Sequence, residues 1–151
     1  MKNVCFALIF LGLLVNGCRT YDCRLQSATL SGAQSRVLQN RFLRAEVVPA
    51  ATGALVGLEY LPLKKEIMTP FTYSVEKIDL IPDRVVIGGG GSRVLLWGEN
   101  NLSSQEMQIT QEVSSAQCCS LELFNPFYQS TDLRLRRTVS LKKDRAGLNL
   151  S

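Results

Sequence analysis

From Arg36 onward, apolar residues recur at every second position in short runs separated by Gly, Pro, Asn and Asp. That is the pattern of antiparallel strands with one solvated face. In residues 42–48, Leu43, Ala45 and Val47 share a face, and Pro49 stops the strand because it cannot donate to a ladder. Gly53 then turns the chain into a strand over residues 55–61, with Val56, Leu58 and Tyr60 expected to point one way. The alternation returns at Met107, Ile109 and Val113 against Gln108, Thr110 and Glu112. It continues at Cys119, Leu121 and Leu123 against Ser120 and Glu122, which places Cys119 inside and Cys118 outside. Leu133, Leu135, Val139 and Leu141 repeat it against Arg134, Arg136, Thr138 and Ser140. Residues 71–80 and 85–87 read as strands around a Pro82-Asp83 turn, with Gly88 to Gly91 following. Apolar spacing of three and four is not sustained over a dozen residues anywhere, so the expected fold is all-β, an antiparallel β-sandwich in a single domain over 36–151.

The first 35 residues follow another pattern. Met1-Lys2-Asn3 brings one positive charge, residues 4–15 are an unbroken run of apolar residues and Gly, and Asn16-Gly17 precede Cys18. Twelve residues of helix cover about 18 Å of a hydrocarbon core about 30 Å thick, so a cleaved signal peptide over 1–17 is preferred to a membrane span. Residues 18–35 are polar and without period, as in a spacer between a membrane surface and a folded domain.

Val15-Asn16-Gly17-Cys18 resembles the lipobox of bacterial lipoproteins, with Asn16 departing from the small or hydroxylated residue usual there. The resemblance implies that Cys18 takes a diacylglyceryl group and becomes the N-terminus. It also implies a bacterial cell-envelope protein whose partner is the membrane, reached through a lipid anchor. The alternative is an ordinary signal peptide cut near Gly17, leaving Cys18 as a thiol and the protein secreted or periplasmic.

Composition narrows the chemistry. The 151 residues are 46% hydrophobic and 20% charged, with 17 Lys and Arg against 13 Asp and Glu. This is a slight basic excess. The run Arg134, Arg136, Arg137, Lys142, Lys143 and Arg145 fits the solvated face of a strand, and with no nucleic-acid-binding signature the reading includes no nucleic acid. There is no His and no spaced Cys pair, so neither a metal site nor a cofactor is expected. Beyond Cys5 and Cys18 the chain carries Cys23, Cys118 and Cys119. A bond between neighbours would distort their peptide, so Cys23 with Cys118 is the easier disulfide if one forms, and simple burial of Cys119 is the alternative. The glycines at 88–91 lack the Lys-Ser/Thr and the helix of a phosphate loop.

The run Leu38-Gln39-Asn40-Arg41-Phe42-Leu43-Arg44-Ala45-Glu46-Val47-Val48-Pro49, continuing through Gly53 to Leu58, resembles the opening of galactose-mutarotase-like domains. In these a strand led by Asn and ended by Pro passes through a Gly turn into a second strand. Residues 135–141 with Gly147-Leu148-Asn149-Leu150 resemble a central hairpin of the same sandwich. The resemblance implies a β-supersandwich, found in sugar epimerases and in non-catalytic domains of polysaccharide-degrading enzymes. The epimerases use a His acid and a Glu base. Here the acid has no counterpart, and no catalytic residue is assigned. The chain also stops at Leu150-Ser151 inside what should be a strand, so it is either a fragment or a reduced sandwich with an exposed edge.

For sugar binding without turnover the candidates are Trp97, whose ring face can stack on a sugar, and Arg93, two positions earlier on the same side of a strand. The alternative is that Trp97 fills the core. Asn101-Leu102-Ser103 and Asn149-Leu150-Ser151 match the glycosylation sequon, which bears only on a eukaryotic secretory route. The expectation is thus an exported, lipid-anchored, non-catalytic β-sandwich with a glycan as its candidate ligand. Its rivals are the N-terminal part of a mutarotase-like carbohydrate-active enzyme and a structural envelope lipoprotein.

Overall fold

A computed structural model of the chain describes residues 23–68, 71–78, 81–89, 106–125 and 134–151. They form an all-β, wholly antiparallel structure. One sheet has the order β1 (Arg24–Leu30), β2 (Ala33–Gln39), β3 (Leu43–Val48), β4 (Ala54–Tyr60), β5 (Lys65–Glu66). A hairpin of β6 (Phe71–Ile78) and β7 (Ile81–Gly89) makes a second, two-stranded sheet. The third has β8 (Gln108–Ser114), β9 (Cys118–Asn125), β10 (Leu135–Lys142) and β11 (Leu148–Leu150), in the order β11-β10-β9-β8.

The five- and four-stranded sheets face each other across one core. Leu38, Leu43, Ala45, Val47 and Leu55 come from the first, and Cys119, Leu121, Leu123, Val139 and Leu141 from the other. Every second residue of β9 is buried, as its alternation requires. β11 lies at an edge, and Leu150 on it is exposed.

The first strand begins at Arg24, so residues 24–35, expected to be spacer, belong to the sheet. β1 is an edge strand and mostly exposed, and its polar residues Gln26, Ser27 and Thr29 hide the period in the sequence. It meets β2 through a two-residue turn with Leu30 paired to Ala33 and positive φ at both Ser31 (48°) and Gly32 (86°). Such a turn matches the twist of the strands it joins.

Two bulges reset which residues face the core. Val47 pairs with Leu55 while Glu46 pairs with Gly57, leaving Val56 as an extra residue in β4. Leu55, rather than Val56, therefore joins Leu58 and Tyr60 on the core side, and Val56 packs with Val48, Ala51 and Ala54 in a separate cluster. In β8, Ile109 pairs with Leu123 but Gln111 pairs with Glu122, so Thr110 is the extra residue. Beyond it Glu112 lies opposite the buried Leu121 and Val113 opposite Ser120, the reverse of simple alternation.

The third difference is in the β6–β7 hairpin. Its ladder closes at Ile78 with Ile81, so Pro82 and Asp83 are in β7 and not at the turn. The register shifts between Glu76 and Ile78, and such an irregularity is where a strand tolerates a proline. Gly88 and Gly89 pair with Thr72 and Phe71 as ordinary strand residues.

Between β3 and β4 the chain makes one 3-10 turn, Pro49–Ala51, and reverses through Thr52 (φ 57°) and Gly53 (φ 62°). The Pro49 carbonyl accepts the N–H groups of Gly53 at 3.2 Å and Met107 at 3.0 Å, tying this reversal to the start of β8. A Cβ on Gly53 would lie 2.6 Å from Leu123 Cδ1 and 3.0 Å from Met107 Sδ, so glycine is needed for both space and backbone sign.

Candidate functional site

Cys18, Arg93 and Trp97, the residues singled out for lipid attachment and ligand binding, lie outside the described residues, as does the sequon at 101–103. What the fold gathers instead is a thiol cluster under a cationic rim, at the end of the sandwich where the chain joins β1.

Cys23 precedes β1, and Arg24 pairs with Gln39 at the far end of β2. Cys119 is the second residue of β9 and pairs with Leu141. Both cysteines are buried in the inter-sheet core. The Cys23 thiol donates to the Leu141 carbonyl at 3.6 Å, and Cys119 Sγ lies 3.9 Å from the Gln39 carbonyl oxygen. The two thiols are also within hydrogen-bonding reach of each other. Cys118 is on the other face of β9, half-buried, with its sulfur 3.6 Å from Ser115 Oγ. The thiol facing Cys23 is therefore that of Cys119, not Cys118, because alternation along β9 turns only one of the two adjacent cysteines inward.

Burial governs their acidity. It pushes the Cys119 thiol up to about 12, helped by the nearby Cys23 sulfur. Cys23 is raised too, first by burial, with hydrogen bonds from the Cys119 thiol and main chain acting in the opposite direction. As thiols, both are poor nucleophiles in the folded protein.

The rim above them is built by Asn40, which is 2% exposed. Its Nδ2 donates to the Lys142 carbonyl at 2.7 Å and to the Arg145 carbonyl at 2.9 Å. Its Oδ1 accepts the N–H groups of Phe42 at 2.8 Å and Leu43 at 2.7 Å. One side chain thus fixes the β2–β3 turn of one sheet to the β10–β11 turn of the other. This brings Arg24, Arg41, Lys142, Lys143 and Arg145 to one end, with Asp144 the acidic residue among them, 3.7 Å from Arg41. Arg41 also lies over the Phe42 ring at 4.4 Å. An open cleft of about 340 Å³ runs between Gln117, Cys118 and the turn at 142–145. Such a surface attracts anions through long-range charge.

Two other polar groupings are structural. On the face of the first sheet turned away from the core, Ser35 Oγ donates to Glu46 Oε1 at 2.7 Å, and Arg44 pairs with Glu46 Oε2 at 3.4 Å. The carboxylate is neutralised by Arg44 and no imidazole exists to take the serine proton, so this is a bridge and not an activated nucleophile. Across the sheets, Arg36 pairs with Glu112, and Ser114 Oγ accepts the Leu25 N–H at 3.3 Å and donates to the Cys23 carbonyl at 3.5 Å. The bulge at Thr110 turns Glu112 and Ser114 toward β1 and β2 and makes these contacts possible.

Arg137 is not on the solvated face. It is 5% exposed, shares the inward parity of Val139 and Leu141, and burial lowers its guanidinium pKa. Among the described residues no group of three His, Cys, Asp or Glu is placed to hold a metal ion.

Comparison with known proteins finds no matching family, no matching curated protein and no matching solved structure.

Proposed function

We propose that this is an exported, non-catalytic β-sandwich protein, lipid-anchored through Cys18 in a bacterial cell envelope, that contacts carbohydrate through Trp97 and Arg93. The observation that carries the reading is the leader: an apolar run too short to span a bilayer, ending in a lipobox-like Val15-Asn16-Gly17-Cys18. Two features of the fold support it. Cys23 is in the core, so five residue steps separate it from Cys18. At about 3.5 Å each, that tether reaches less than about 20 Å and holds the domain close to the bilayer. The end of the sandwich facing that tether is the one lined by Arg24, Arg41, Lys142, Lys143 and Arg145, the charge that suits anionic headgroups.

Kinship to mutarotase-like sandwiches belongs to the same reading. It is supported by the order Asn40, β3, Pro49, Gly53, β4, in which each residue acts at a strand boundary. The test is detergent-phase partitioning of the protein made in a bacterial host. The wild type should enter the detergent phase and Cys18→Ser should not. Wild type remaining in the aqueous phase contradicts anchoring. For the glycan part, binding on a glycan array should be lost in Trp97→Ala with β-sheet content unchanged, and equal binding by both contradicts it.

A further inference from the structure

We propose that Cys23 and Cys119 form a disulfide that fastens the first strand of one sheet to an inner strand of the other, made by exchange with an external disulfide as the chain folds. The geometry is reciprocal. The Cys23 sulfur lies at the carbonyl of Leu141, the residue paired with Cys119, and the Cys119 sulfur lies at the carbonyl of Gln39, the residue paired with Arg24 next to Cys23. Each sulfur is thus at the backbone of a residue adjoining the other's position, and both thiols belong to the same buried cluster within hydrogen-bonding reach of each other. A disulfide requires close, mutually directed Cβ atoms, and Cys118 fails this because it leaves β9 on the opposite face.

The chemistry balances as a two-step exchange. The thiolate of one cysteine attacks a small-molecule or protein disulfide, forming a mixed disulfide and releasing one thiolate. The second cysteine then attacks the protein-side sulfur of that bond and releases the other half of the oxidant. One S–S bond forms in the chain, one breaks in the oxidant, and the two thiol protons end on the reduced oxidant. In the folded state both thiols are buried and stay protonated, so exchange belongs to the stage before β1 covers β9 and β10. The finished bond is then shielded from reductants. None of this depends on whether Cys18 is acylated.

The experiment refolds the full-length protein in mild detergent with a glutathione and glutathione disulfide mixture, then unfolds it in urea with N-ethylmaleimide present to block every remaining thiol, and maps tryptic peptides by mass. Cleavage after Lys and Arg separates residues 3–19, which hold Cys5 and Cys18, from 20–24 with Cys23 and 94–134 with Cys118 and Cys119. The expected result is a disulfide joining 20–24 to 94–134, retained in Cys118→Ser and absent in Cys119→Ala. Reduction should lower the unfolding midpoint by roughly 10 °C for a closed loop of about a hundred residues, in wild type and Cys118→Ser but not in Cys119→Ala. Wild type that refolds natively and then carries maleimide on both Cys23 and Cys119 overturns the proposal, as does a crosslink that Cys118→Ser abolishes.

Discussion

Asn40→Ala removes a side chain that closes four hydrogen bonds, two within its own β2–β3 turn and two to the β10–β11 turn of the opposite sheet. Each such bond contributes about 1 kcal/mol net, and a buried group left without a partner costs more than the mean, about 1–3 kcal/mol. Asn40 is 2% exposed, but the carbonyls it binds belong to an exposed turn that water can reach. The loss should therefore be about 3–5 kcal/mol, a large share of the 5–15 kcal/mol typical of a domain. Urea unfolding followed by circular dichroism, at a fixed redox state, measures it as a lower midpoint at unchanged slope. Asn40→Asp is the informative companion. It keeps the acceptor for Phe42 and Leu43 but turns a second oxygen toward the Lys142 and Arg145 carbonyls, so it should lose at least as much at neutral pH. Part of that should return on acidification, when a protonated carboxyl can donate. A loss below about 0.5 kcal/mol in Asn40→Ala, within the range of ordinary surface changes, would refute the clamp.

Other outcomes follow from the same packing. Gly53→Ala combines a left-handed backbone with a 2.6 Å approach to Leu123 and should destabilise by about 2–4 kcal/mol in the same unfolding assay. Leu121→Ala empties the centre of the core and should cost about 2–5 kcal/mol, whereas Val113→Thr, on the outward side beyond the bulge, should stay within about 0.5 kcal/mol. A double-mutant cycle on Arg36 and Glu112 should give no more than about 1 kcal/mol, because Glu112 is 40% exposed and the pair is screened. In the reduced protein, the raised Cys119 pKa means stability is full below the ordinary thiol value of 9.0 and is lost as pH rises toward about 12. Urea midpoints of the reduced chain across that range test it, and Cys119→Ala should flatten the profile.

The all-β architecture was legible because β3, β9 and β10 each alternate cleanly and carry their punctuation in sequence: Pro49 after β3, polar partners along β9 and β10. The bulges were not, since one extra residue at Val56 or Thr110 inverts every face beyond it while leaving the apolar count unchanged. β1 was hidden for a different reason. An edge strand with little burial does not need an apolar stripe, although the Ser31-Gly32 pair between Leu30 and Ala33 carried the turn signal. Because β1 was read as spacer, Cys23 had no fixed position, and Cys118 rather than Cys119 looked the easier disulfide partner for it; the fold places Cys119 beside it. The outward turn of Cys118 was itself readable from the alternation. Arg137 was obscured by its charge: grouped with Arg134 and Arg136 it looked solvated, yet its parity with Val139 and Leu141 places it inward. Cys18, Arg93 and Trp97 rest on sequence alone.

The packed sandwich begins at Cys23, five residue steps after Cys18. The measurement that tests the account most directly is the intact mass of the protein recovered from a bacterial host. The account predicts a chain beginning at Cys18 with added diacylglyceryl mass, and no such mass in Cys18→Ser. A mature chain that retains Met1, or that begins at an unmodified residue, would contradict it.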